Sequence, residues 1–449
     1  MTTASWVAES RQRFVDGMPD HFDRLTWSTD RLREYQLDAL RRLLARAVED
    51  SPYHRRRLGR TAADLTSLDA LSSLPVMTKP DMMANFDEVC TDRRITRAAV
   101  EAHLSAVSEM PELLAGEFVV FGSGGSSGLR GLFVRDHRDL ADYVATILRP
   151  GLSSVAEIFG WPPPFRVAVT LVAAPTALHA TCASRPVIES VGDVTLVPVT
   201  LPFDEIAARV QASAPVLLVG YTTVIARLAD LAASGGLSIS PQSIVVTSEE
   251  LRPDLHDRIV AGFGMAPTDS FASSEGLTGT APPGSREFVF ASDAAILEFV
   301  DADDRPVDVG VEADHVLVTN LVNHIQPLIR YRIDDRLTPL PPALEHGHQR
   351  ALVRGRNDQQ LHLGGVEVHP LVLRTTLLGF PAISEFQVHH DEACRLHVVT
   401  TGPLDVPAVE IAVGRALTNA GVRVPVTVEI VPDLRRDHLT GKSTIEVIA

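Results

Sequence analysis

Apolar and polar positions alternate with a helical period through the first hundred residues, most plainly in Leu32–Val48, where leucines recur at helical spacing among mixed charges. That spacing predicts amphipathic helices. Pro75 and Pro80 interrupt it, and a strand-like run, Glu117–Phe121, then leads into a glycine–serine stretch, Gly122–Gly128 (GSGGSSG). Beyond it the pattern alternates. Apolar runs at Val167–Ala173, Val194–Val199, Val216–Val219 and Ile244–Thr247 read as strands. Phe203–Val210, Thr222–Ala233 and Leu251–Phe263 read as the helices between them. Strands separated by helices of this length predict βαβ units in a largely parallel sheet covered on both faces.

The pattern then changes. Ala295–Val300 and His315–Leu321 read as strands of a more antiparallel, β-rich layer, with Asp301–Arg305 as a turn. Three prolines within Pro339–Pro342 predict a break. After Gly355 the order is β-α-β-β-α-β: Val366–Val368, Leu371–Leu378, Phe386–His390, Leu396–Thr400, Pro407–Ala420 and Val426–Val431. The fold class expected is therefore α/β, a large N-terminal domain of mostly parallel βαβ sheet plus a β-rich layer, followed by a small mobile α+β domain. The charged segment Arg354–Asp358 is the best boundary, dividing the chain into 1–355 and 356–449.

Composition narrows the classes. A chain of 449 residues with 45% apolar and 22% charged residues can bury a sizeable core. Its formal charge of −16 argues against a broad electrostatic grip on nucleic acid or anionic lipid. ATP stays possible, because amides, a few cations and Mg²⁺ can hold phosphates locally. Cys90, Cys182 and Cys394 are far apart and form no CxxC pair, which suits a reducing cytoplasm. Met1–Arg13 contains Glu9 and two arginines without the apolar core of a signal peptide, and no stretch approaches the roughly 18 apolar residues of a membrane span. A cytoplasmic protein is expected, as a monomer or homodimer. His346, His348, His389 and His390 cluster without a structural zinc spacing and read as surface or strand residues.

Gly122–Gly128 offers small residues and hydroxyls where backbone amides can turn toward an anion. It is no Rossmann fingerprint, since the third glycine, Gly128, falls one place late, and it lacks the Lys-Ser/Thr of a Walker A loop. Thr440–Ser443 (TGKS) has that lysine, but Arg436 stands where the motif needs glycine. Gly124-Gly125-Ser126-Ser127-Gly128 does satisfy G-x-S-x-G, which keeps a hydrolase with Ser126 as nucleophile open at this point.

Further stretches occur in one order and spacing. They are LPVMTKPDM (Leu74–Met82), Ser123–Gly131, Thr247–Glu250 (TSEE), Phe271–Glu275 (FASSE), Leu328–Asp335 (LIRYRIDD), Gly355–Asp358 (GRND) and Thr440-Gly441-Lys442. Together they resemble the adenylate-forming (acyl-activating) superfamily, in particular its phenylacetate–CoA ligase-like branch and the related deazaflavin-adenylylating synthetases. The resemblance spans nearly the whole chain. It implies that Ser123, Gly124, Gly125, Ser126, Ser127 and Gly128 hold the β- and γ-phosphates of ATP, with Arg130 in place of the lysine many members have. It implies that Ser248 and Glu249 line the adenine and acyl sites, that Phe271 packs on adenine with Ala272 and Ser273 beside it, and that Ser274 contacts the α-phosphate. Glu275 would bind Mg²⁺, since displaced pyrophosphate needs a metal to neutralise its charge.

The resemblance also implies that Asp335 accepts from the ribose hydroxyls, although Asp334 replaces the usual glycine, and that Arg330 or Arg332 has a nucleotide role. Arg356 would reach ribose or phosphate, and Asp358 would be the hinge. Lys442 would bridge the attacking carboxylate and the α-phosphate. Tyr221 and Tyr143 are candidates for the acyl pocket. The activity implied is ATP-dependent conversion of an aromatic or arylacetic acid to acyl-AMP with pyrophosphate release, then transfer to CoA. A carrier protein, an amine or other nitrogen nucleophile in secondary metabolism, and AMP transfer to a hydroxyl remain the alternatives.

Overall fold

In the computed structural model of the chain, residues 3–59, 62, 65–106, 112–124, 130–174, 179–199, 201–353, 361–364, 366–368, 370–390, 393–400, 402–432 and 446–448 are described. The N-terminal periodicity becomes helices α1 (Thr3–Arg24) and α2 (Thr29–Asp50). Ser28 caps α2 by accepting from the Arg31 amide, and Leu32, Leu40, Leu43 and Leu44 form its buried face. The LPVMTKPDM segment is fixed from far along the chain: Met77 N–H donates to the Arg330 carbonyl (3.0 Å) and Arg332 N–H to the Met77 carbonyl (2.8 Å).

The strand read at Glu117–Phe121 begins later, as β1 (Val119–Gly124), and pairs antiparallel with β2 (Arg130–Arg135). Ser123 and Gly124 thus belong to the hairpin arm, opposite Gly131 and Arg130. Asp136 then caps the long helix α3 (His137–Phe159) through the amides of Arg138 and Asp139.

The βαβ series folds as β3 (Val167–Ala173), β4 (Gly192–Pro198), α4 (Phe203–Ser213), β5 (Leu217–Tyr221), α5 (Thr222–Ala233), β6 (Ser243–Thr247), α6 (Pro253–Phe263) and β7 (Thr268–Ala272). These five strands are parallel in the order β7-β6-β5-β3-β4. The chain reverses at β7. Strands β8 (Thr278–Ala281) and β9 (Glu287–Phe290) continue the sheet antiparallel, while β10 (Ala295–Val300), β11 (His315–Asn320) and β12 (Tyr331–Ile333) form a separate three-stranded sheet. Strands β13 (Leu337–Leu340) and β14 (Arg350–Val353) complete a nine-stranded sheet among the described residues.

The expected break over Pro339–Pro342 falls after Leu340, so that Pro339 lies within a strand. β13 is the outermost strand, where a residue without an amide hydrogen is tolerated. A second correction concerns His348, which is buried rather than superficial. Its Nδ1 accepts from the Ser292 amide (3.2 Å) and its Nε2 donates to the Arg24 carbonyl (2.9 Å).

The C-terminal unit comprises the hairpin β15 (Leu361–Leu363) and β16 (Val366–Val368), α7 (Pro370–Leu378), β17 (Ile383–His390), β18 (Cys394–Thr400), α8 (Val406–Asn419), β19 (Val426–Ile430) and β20 (Glu446–Ile448). Its four-stranded sheet has the order β19-β18-β17-β20. Leu363, Leu373, Val388, Leu396 and Val413 build a core of its own. The architecture is thus α/β, with a mostly parallel sheet, antiparallel additions and a small α+β unit. Among the described residues no helix is long and apolar enough to cross a membrane.

Candidate active site

The carboxyl ends of β3, β5, β6 and β7 lie along one edge of the parallel sheet, the edge at which α/β folds bind ligands. The order reverses between β3 and β5, because β4 lies on one side of β3 and β5 on the other. At that switch Tyr221 ends β5, buried, and its hydroxyl oxygen accepts from the Ala174 amide (3.3 Å). Burial raises its pKa. One strand over, Ser248 follows β6 with φ +69°, a left-handed conformation rare outside glycine and frequent at functional sites. The Glu249 carboxylate accepts from the Thr223 amide (2.6 Å) and hydroxyl (3.0 Å), which satisfies the N-terminus of α5.

At the end of β7 the chain turns tightly. The Ser273 and Leu277 backbones pair (2.9 Å), Ser273 Oγ accepts from the Leu277 amide (3.2 Å), and Gly276 N–H donates to the Ser273 carbonyl (3.0 Å). Gly276 has φ +100°, and a Cβ there would lie 2.0 Å from Asn320 Nδ2, so only glycine fits. Phe271, before the turn, meets Phe288 and Phe290 edge-on at 6.4 and 5.9 Å, while Ala272 is exposed.

Three successive carbonyls of the turn are each taken by a side chain from a different element. Tyr143 Oη on α3 donates to the Ser273 carbonyl (3.1 Å), Arg135 Nη2 on β2 to Ser274 (3.0 Å), and Asn320 Nδ2 on β11 to Glu275 (2.9 Å). The Arg135 guanidinium lies 4.3 Å from the Tyr143 ring centroid, and its Nη1 bonds both Asp139 oxygens at 2.7 and 2.8 Å. Burial pushes the Tyr143 phenol up to about 12. Burial, followed by the neighbouring Glu250 carboxylate, pushes Asp269 on β7 up to about 7.

Glu275 itself is only 4% exposed, yet among the described residues its carboxylate has no hydrogen bond and no ion pair. An unpaired buried carboxylate is costly unless a cation completes it. No three His, Cys, Asp or Glu side chains among the described residues converge on a metal position. Mg²⁺ suits such a place, since it commonly takes one or two carboxylates and fills its remaining positions with water and substrate phosphates.

Asp335 follows β12 and is buried. Arg330, by contrast, is consumed structurally: Nε bonds both Glu298 oxygens (3.1 and 3.0 Å) and Nη1 donates to the Ser72 and Leu74 carbonyls. Arg332 pairs with Asp334 (3.1 Å). Gly125, Ser126, Ser127, Gly128, Arg356, Asp358 and Lys442 lie outside the described residues.

Arg135, Asp139 and Asn320 escaped the sequence reading. Their signals were an i,i+4 Arg–Asp pair closing an apolar run and the spacing Asn320, Asn323, Gln326. Asn323 Nδ2 donates to the Val134 carbonyl (2.9 Å). Gln326 Nε2 donates to Leu132 (2.9 Å), and Gln326 Oε1 accepts from the Val134 amide (3.0 Å). The same short segment therefore holds both the Glu275 turn and the returning arm of the glycine–serine hairpin.

Solved structures with this architecture include 2-hydroxyisobutyryl-CoA ligase. In its thioesterification state, with 2-HIB-AMP and CoA, it superposes with a TM-score of 0.56 at 18% identity, over 94% of this chain and 91% of that one. Its postadenylation state with 2-HIB-AMP gives 0.54 at 18% identity, with the same coverage. The chain has the fold of this CoA ligase. The open conformation of 2-hydroxyisobutyryl-CoA ligase, with 2-HIB-AMP and CoA, gives 0.52 at 17% identity, over 94% of this chain and 92% of that one. No family model matches the chain, and no curated protein does.

Proposed function

We propose that the protein activates a carboxylic acid with ATP, releasing pyrophosphate to give acyl-AMP, and then transfers the acyl group to a thiol, with CoA as the acceptor. The carrying observation is Glu275, a residue 4% exposed just beyond the last parallel strand, whose carboxylate has no hydrogen bond and no ion pair among the described residues. In this reading the substrate carboxylate attacks the α-phosphorus, the bond to the bridging oxygen of pyrophosphate breaks, and its electrons leave with pyrophosphate. Glu275 would hold Mg²⁺, and the bound ion would supply positive charge to the departing group. Ser123–Gly128 and Arg130 receive the phosphates, Phe271 and Ser248 flank the adenine, and Asp335 accepts from the ribose. Tyr221 borders an acyl pocket suited to an aromatic or arylacetic acid.

Residues 356–449 form a domain that pivots at Asp358, with Arg356 at the ribose or phosphate. Lys442 is presented for adenylation and withdrawn for transfer. A 2-hydroxy acid, as in the fold relative, is the natural second acid to assay.

Replacing Glu275 with Gln tests the reading, because shape is kept and charge is lost. Acid-dependent pyrophosphate release should fall by two orders of magnitude or more, about the scale of removing one essential electrostatic group. The Mg²⁺ requirement should rise and the melting temperature hold. Unchanged release in this variant would place the metal elsewhere.

A further inference from the structure

Arg135 ends the strand that returns from the glycine–serine hairpin, and its second guanidinium nitrogen reaches the carbonyl immediately before Glu275. We propose that Arg135 is a positioning residue for the metal-dependent step. By holding the Ser274 carbonyl from the end of β2 it aims the Glu275 carboxylate. The inference rests on the adenylation reading above.

Three observations separate this from simple packing. Asp139 occupies only Nη1, with both oxygens, which leaves Nη2 directed at the turn. The Arg135 side chain is 2% exposed and, among the described residues, its buried Nε has no hydrogen-bond partner, a costly arrangement that an apolar side chain would avoid. Finally, a Cβ at Gly276 would meet Arg135 Nη2 at 3.1 Å as well as Asn320, so the two side chains together leave the turn a single course. Arg135 acts through Glu275.

The test is a double-mutant cycle on the full chain with Mn²⁺ as the metal probe. Arg135→Lys keeps a charge for Asp139 but loses the planar fork. Mn²⁺ affinity in the presence of a non-hydrolysable ATP analogue is read by electron paramagnetic resonance, beside acid-dependent pyrophosphate release and melting temperature. Arg135→Lys should weaken Mn²⁺ binding about tenfold, the scale for loss of a group that orients a metal ligand. In the Glu275→Gln background the same change should cost less than about twofold, because the carboxylate it aims is gone. Its effect on melting temperature should be equal in both backgrounds.

Should Arg135→Lys not fold, Arg135→Gln combined with Asp139→Asn removes both charges and keeps an amide donor for Ser274. That pair should retain more Mn²⁺ affinity than Arg135→Met combined with Asp139→Asn, which has no donor, and equal affinities overturn the inference. A tenfold loss that persists undiminished beside Glu275→Gln overturns it too, while acid-dependent pyrophosphate release by the wild type leaves the adenylation reading standing. No such release by the wild type overturns both.

Discussion

Around Glu275, side chains from β2, α3 and β11 close on one turn, and the core beneath them draws on Trp6, Phe121, Phe290 and Tyr331, from one end of the large unit to the other. The C-terminal unit is built differently. Its cluster runs from Leu361 to Val428 and, among the described residues, includes none from earlier in the chain. A side-chain link between the two is Thr375 Oγ1 with His179 Nε2, at 3.3 Å. A carboxylate that must meet a metal in one place gains from cross-bracing by distant elements. A unit with a private core can change its placement without opening that core, which suits a part that presents two faces in turn.

The largest expected effect breaks the comparison at its functional end. Lys442→Ala should slow adenylation about 10²–10³-fold, the scale for one oxyanion donor, yet still transfer acyl groups from supplied acyl-AMP. Asp358→Pro restricts φ at the proposed pivot, so adenylation should persist while transfer fails. Equal loss of both half-reactions in both variants, measured by pyrophosphate release and thioester formation, would count against alternation.

Next in size, Leu396→Ala empties a fully buried position of the private core and should cost about 2–5 kcal/mol. If the cores are independent, calorimetry should show a lowered transition for the C-terminal unit, while ATP still raises the melting temperature of the other. A single transition shifted as a whole would join the two.

His54 braces the large unit at the Pro327 carbonyl (2.9 Å), just beyond the segment that holds the turn. Burial, then the Arg57 charge, lowers its pKa from 6.5 to about 3, against the opposing pull of that hydrogen bond. A folded pKa below the unfolded value means that the neutral ring stabilises the fold above pH 6.5, and that this contribution is lost as pH falls toward 3. Urea midpoints measured across that window should fall more steeply in the wild type than in His54→Gln.

The smallest effect comes from Tyr143→Phe, which removes one hydrogen bond to Ser273 at about 1 kcal/mol. Its raised phenol pKa stabilises the fold below pH 10, a contribution lost as pH rises through 12. That alkaline loss should vanish in the variant. A changed acid preference would instead mark Tyr143 as a pocket residue.

Thr222–Ala233 and Val167–Ala173 were legible to the residue, because a helix or buried strand in a βαβ series writes its own period and length into consecutive positions. The Ser273–Glu275 turn was legible as a motif. Its supports were not, since Tyr143, Arg135 and Asn320 lie 130, 139 and 45 residues away from the carbonyls they hold. The partners of Arg330 were hidden for the same reason, because Glu298 and the Ser72 and Leu74 carbonyls that it meets are remote.

Local periodicity and chain order thus determined the helices, the parallel strands and the sequence of motifs. Each depends on neighbours within a turn or a strand, where steric and hydrogen-bonding preferences act directly. Tertiary structure decided that Pro339 could lie in a strand, because only the sheet's strand order makes β13 an edge. It also decided that, among the described residues, Glu275 meets no partner while Arg330 bonds Glu298 and two carbonyls. Both are charged residues in similar motif contexts, and which of them meets a partner depends on what folding brings within about 3 Å, the range of a hydrogen bond.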